Sequence, residues 1–119
     1  MAYRVIRSTA TDLDLDLIFD FLVGGYRNFG DPVEDAFERA AARIRGIEAD
    51  MKAVGEMPHQ GTLMPEIMAG LRHVTKNHAI FYFNIDEGEK VVRILAVFIG
   101  SQDHRRHMLR RLMSRFDEE

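Results

Sequence analysis

Leu71-Arg72-His73-Val74, Ala79-Ile80-Phe81-Tyr82-Phe83 and Val91-Val92-Arg93-Ile94-Leu95-Ala96-Val97-Phe98 are three runs rich in β-branched and aromatic residues. A polar break at Thr75-Lys76-Asn77 and a turn at Asp86-Glu87-Gly88 separate them. Short strand-forming runs joined by short turn clusters predict an antiparallel meander. The second and third runs are apolar on both alternating faces, so they belong in the middle of the sheet, with helices covering at least one side.

The segments before the meander supply those helices. Tyr3 to Ser8 alternates enough to be a short strand, and Thr9 or Thr11 can cap a helix after it. The Asp-Leu-Asp-Leu-Asp-Leu run at 12–17 looks locally like a strand, but Leu13, Leu17 and Phe21 lie one helical turn apart. Aspartates near the N-terminal half suit the positive end of a helix dipole. A helix is therefore expected, with Leu13, Leu17, Phe21, Ile18 and Leu22 inward and Leu15 and Phe19 on its flank. That flank either packs on a neighbouring element or is a surface meant for another chain.

Asn28-Phe29-Gly30 ends the helix with a glycine cap. Asp31-Pro32-Val33-Glu34 starts the next, with aspartate as N-cap and proline in the first turn. Val33, Ala36, Phe37, Ala40, Ile44 and Ile47 then repeat at three and four. The short gap makes the two helices an antiparallel hairpin. Residues 53–70 hold Gly55, Pro58, Gly61, Pro65 and Gly70 and read as a loop, with a helical turn near Pro65-Met68. Beyond Gly100, Asp103 can cap a last helix anchored by Met108, Leu109, Leu112, Met113 and Phe116, its arginines outward. The expected fold is α+β, ordered β-α-α-β-β-β-α, a helical hairpin on a small curved, mainly antiparallel sheet. Strand order is not fixed by the pattern.

With 119 residues, one domain spanning 1–119 is expected. The absence of cysteine excludes disulfides and thiolate metal sites and is compatible with the cytoplasm. No apolar run reaches the ~18 residues of a membrane span, and no secretory h-region follows Met1. Sixteen Lys+Arg against nineteen Asp+Glu give a net charge of −3, a poor match for a chain that grips nucleic acid by itself. The charge is nonetheless uneven: Arg105, Arg106, Arg110, Arg111 and Arg115 fall in one segment without an acid. Such a ridge is either a solvated helix face or a docking surface for an acidic partner.

No phosphate-cradling glycine loop, nucleophile elbow or zinc-protease helix is present. His104 and His107, beside Asp103, lack a firmly placed third ligand, so neither a metal nor a cofactor is expected. Arg72, His73, His78 and Tyr82 could supply a proton shuttle and a cation for ribonuclease chemistry. Alternatively, Arg72 pairs with an acid beside the loop and fixes the start of the sheet.

Taken in order, Met57-Pro58-His59-Gln60-Gly61, Gly70-Leu71-Arg72, His78-Ala79-Ile80-Phe81-Tyr82, Val92 to Val97 and Asp103-xx-Arg106-His107-Met108 resemble the RelE/ParE toxins of bacterial type II toxin–antitoxin (plasmid stabilization) systems. The resemblance covers almost the whole chain. It implies a toxin that arrests growth and is neutralised, as a hetero-oligomer, by a cognate antitoxin. Contact with DNA would come only through that antitoxin, and none with a membrane. RelE-like members cleave mRNA with a set of basic residues and often a late tyrosine, whereas ParE-like members poison DNA gyrase by binding. Arg72 matches the arginine after the loop. Val97-Phe98-Ile99-Gly100-Ser101-Gln102 has no cation where a cleaving member carries one, and no tyrosine follows Tyr82. The resemblance thus leans to the ParE-like branch, a binding toxin rather than an enzyme. The alternatives are an mRNA endoribonuclease and a non-toxic interaction domain. The surfaces expected to meet antitoxin or target are the Leu15–Phe19 flank, Arg72, and Arg105, Arg106, Arg110 and Arg111.

Overall fold

The computed structural model of the chain describes residues 2–100 and 104–117, with the side chains of Arg105 and residues 114–117 left aside. Strand β1 (Arg4–Arg7) leads into helices α1 (Thr9–Asn28) and α2 (Val33–Ala53) and a short 3-10 turn, Val54–Glu56. Strands β2 (Thr62–Leu63), β3 (Arg72–Lys76), β4 (Ala79–Asp86) and β5 (Val91–Ile99) come next, then helix α3 (His104–Asp117). The sheet order is β1-β5-β4-β3-β2, antiparallel except where β1 runs parallel to β5. The meander is therefore as expected, and the loop read over 53–70 carries one additional two-residue edge strand.

Local chemistry explains the joints. Ser8, not Thr9 or Thr11, caps α1: its backbone is extended, and its Oγ accepts from the Thr11 amide at 3.1 Å. At the other end Gly30, at φ 100°, donates to Arg27 O, and the Asp31 amide reaches back to Tyr26 O. That pair of bonds is the Schellman arrangement. Asp31 does not cap α2. Its carboxylate is held by Arg39 at 2.6 Å, and Pro32 stands at the cap position without a side-chain bond. The β3–β4 hairpin turns through Asn77 and His78, both at positive φ, in the manner of a two-residue primed turn.

Strands β4 and β5 bury both faces. On one side Phe81, Phe83, Val92, Ile94 and Val97 pack against Leu15, Ile18 and Ile47 of the helical hairpin. On the other, Tyr82, Ala96 and Phe98 pack with Met64, Leu71, and Met108 and Leu112 of α3. A bulge in β5 makes this possible. Tyr82 pairs with Ala96 but Phe83 pairs with Ile94, leaving Leu95 unopposed. The extra residue shifts the alternation by one, so Ile94 and Val97 share a face despite their odd spacing.

The phase of α1 differs from the sequence expectation. Ile18 is buried and Leu22 half-buried as expected, but Leu15, expected on the flank, is buried too, whereas Leu13, Leu17 and Phe21, expected inward, are 58%, 69% and 69% exposed. Two apolar stripes of similar strength run along this helix, and hydrophobicity cannot choose between them. Polar anchors choose: Thr11 Oγ1 donates to Ile94 O at 3.0 Å, and Asp14 accepts from the Val97 amide at 3.0 Å. These bonds turn the Thr11–Leu15–Ile18 side toward β5. Phe19 lies half-buried against Phe37, ring centres 5.6 Å apart. On α3, likewise, Met108 and Leu112 are buried but Leu109 and Met113 are exposed.

Candidate functional site

β1 pairs with β5 only as far as Ile94, because the chain then turns at Ser8 into α1. The outer edge of β5 beyond that point therefore needs other partners. The Leu95 carbonyl accepts from Arg111 at 3.0 Å, and the Val97 amide donates to Asp14. Arg111 and Asp14 also grip each other in a two-pronged ion pair, at 2.6 and 2.8 Å. Asp14 is buried and the Arg111 side chain only 25% exposed, so α1, β5 and α3 are joined at one charged clamp.

Beside the clamp lies a groove of about 630 Å³ between α1 and α3. Leu17 and Phe21 form one wall, Phe98 and Ile99 the floor, and His107 and Arg111 the other wall. His107 stacks on Phe98, with ring centres 5.9 Å apart.

The residues expected to form a nuclease centre do not all come together. His73 and Tyr82 are cross-strand partners with ring centres 5.4 Å apart. The fully buried Tyr82 places its hydroxyl 2.7 Å from His104 Nδ1. Next to His73 along the strand, Arg72 takes the opposite face. Its guanidinium donates to the carbonyls of His59 and Gln60, at 2.9 and 3.5 Å. Arg72 thus pins the Pro58–Gly61 loop through backbone oxygens, and its charge also acts on Glu87, the acid that holds His59 of the same loop. Gly61, at φ 83°, lies where a Cβ would come within 2.3 Å of His73 O, so this loop hugs β3. His78 is exposed in the hairpin turn, at the far end of a strand that carries it ~14 Å or more from Arg72 at ~3.4 Å per residue.

The arginine ridge is also divided. Arg111 turns inward to Asp14, so the missing acid comes from α1, 97 residues away in sequence. Arg106 and Arg110 are exposed; Arg105 and Arg115 lie outside the described side chains, as does Asp103. Leu15, expected at a partner surface, is core. The signal that could have found the clamp was the placement of Asp14 between Thr11 and Ile18, a carboxylate on an otherwise inward helix face. Among the described residues no group of three potential metal ligands converges, and no helix is long and apolar enough to cross a membrane.

Neither a family profile nor a curated protein matches the sequence. Solved structures do. A chain of the chromosomal ParDE TA system from P. aeruginosa superposes with a TM-score of 0.62 at 21% identity, over 82% of this chain and 96% of that one. A chain of the toxin–antitoxin complex RelBE2 from Mycobacterium tuberculosis gives 0.57 at 14% identity, over 84% and 100%. The chain therefore has the RelE/ParE-like α+β fold, along nearly the full length of both neighbours.

Proposed function

We propose that this chain is the toxin of a type II toxin–antitoxin pair, ParE-like in acting by binding to DNA gyrase, and that a cognate antitoxin neutralises it. The fold shared with chains of the ParDE and RelBE2 systems supports the toxin–antitoxin part. One observation supports a binding toxin over a nuclease: the basic and aromatic candidates do not gather at one exposed centre. Tyr82 is buried, Arg72 holds loop carbonyls, and His78 stands at the far end of the hairpin. A general base and a phosphate-stabilising cation must converge within hydrogen-bond reach of one reacting centre, and these do not. Arg110, exposed on the outer side of α3, is a cation that an acidic target surface would meet.

Purified chain added to DNA gyrase and relaxed plasmid tests this reading. Inhibited supercoiling with accumulation of cleaved DNA is expected, together with unchanged mRNA in a translating extract. Site-specific cleavage of ribosome-bound mRNA with normal supercoiling would replace the proposal by the nuclease alternative.

A further inference from the structure

We infer that the groove between α1 and α3 receives the antitoxin as an amphipathic helix, and that the Asp14–Arg111 clamp excludes an added β-strand there. The inference rests on the toxin–antitoxin reading and specifies how one surface of it works. An unpaired sheet edge ordinarily invites strand addition, in which main-chain bonds carry the affinity. Here the groups such a strand needs first are occupied: Leu95 O by Arg111, and the Val97 amide by Asp14. Displacing them would strand a buried carboxylate and a guanidinium without partners. What the groove does offer is side-chain surface. Leu17 and Phe21 line it, and with Leu13 beyond its end they repeat every fourth residue and are more than half exposed, an apolar stripe without cover among the described residues. A partner helix presents matching residues at three and four.

The two rims differ in charge. At 100° per residue, Asp16 and Asp20 border the Leu13–Leu17–Phe21 stripe on the side away from the groove, and both are exposed. Arg110 borders the groove on α3 beside His107 and is also exposed. A helix lying between them is oriented by charge: carboxylates toward α3, lysines or arginines toward α1. The occupant is thus an antitoxin segment with an apolar ridge, acidic along one flank and basic along the other.

Two synthetic peptides of identical composition test this against the intact chain. One places leucines at helical spacing between an acidic and a basic flank; the other alternates them as a strand. Amide and methyl NMR shifts locate binding. The helical peptide is expected to perturb Leu17, Phe21, Phe98 and His107 while the Val97 amide stays protected, and the strand peptide is expected to bind at least about tenfold more weakly. Leu17→Ser with Phe21→Ser should weaken the helical peptide by roughly tenfold or more at unchanged melting temperature. Arg110→Glu should weaken it in a salt-dependent way. Equal or tighter binding of the strand peptide, exposure of the Val97 amide, binding elsewhere, or no binding would each overturn the inference. Peptide binding needs no toxicity, so a groove that binds as described in a chain that leaves gyrase unaffected would remove only the gyrase reading.

Discussion

A carboxylate that accepts from a backbone amide and from two guanidinium nitrogens cannot be removed without leaving several buried groups unsatisfied. Asp14 is in that position. Breaking a buried pair by deleting one partner costs ~3–5 kcal/mol. Arg111 keeps some solvent, so Asp14→Ala should cost nearer ~2–3 kcal/mol, read as a lowered denaturation midpoint at constant m-value. Glu87 offers a milder, pH-dependent case. His59 Nε2 lies 2.7 Å from one carboxylate oxygen and the Tyr3 hydroxyl donates to the other at 2.8 Å. The His59 contact first, then Tyr3, holds the Glu87 carboxyl below the usual carboxylate range. A depressed folded pKa means the contribution is complete above the unfolded value and lost as pH falls through the folded one. The stability difference between wild type and Glu87→Gln should therefore be present near neutrality and vanish in acid. A difference that grew on acidification would contradict the assignment.

At the scale of elements, α1 tests the packing most sharply, because its two stripes make opposite predictions. Leu15→Ala should cost ~2–5 kcal/mol as a buried leucine truncation, whereas Leu17→Ala should stay within ~0.5 kcal/mol. Chemical denaturation of the two variants decides it. The same helix marks the limit of what its sequence reveals. Its existence, and that of α2 and the meander, was legible from spacing and turn residues. Its phase was not, because Leu13–Leu17–Phe21 and Leu15–Ile18–Leu22 are equally apolar and only tertiary hydrogen bonds from Thr11 and Asp14 distinguish them. The strand β2 was hidden for a related reason. Two residues, Thr62 and Leu63, carry no period, and their pairing with His73 and Arg72 depends on how the loop is pinned. The bulge at Leu95 was equally silent, since an uninterrupted apolar run gives no sign of which face each residue takes.

At the scale of the whole molecule, a sheet carries two dissimilar coverings. The helical hairpin seals one face with a deep aliphatic and aromatic core. The single helix α3 closes the other, tied down by Arg111, by Met108 and Leu112, and by the Tyr82–His104 contact. The α1–α3 boundary arises from this asymmetry, as does the apolar groove at the open half of the β5 edge. An arginine-rich helix read from sequence as one uniform ridge thus divides its duties. Arg111 is a structural clamp, while Arg110 stays exposed. Arg110→Glu should abolish growth inhibition or antitoxin capture, in a salt-sensitive manner, with thermal stability nearly unchanged. Unaltered growth inhibition together with unaltered antitoxin capture would leave Arg110 as an ordinary solvated residue. The toxin assignment itself meets its most direct test in cell growth. The chain is expressed from an inducible promoter, with or without the reading frame that adjoins its gene. Growth should stop on induction of the chain alone and resume when the adjoining product is supplied. Undiminished growth at confirmed expression of the folded chain would contradict the assignment.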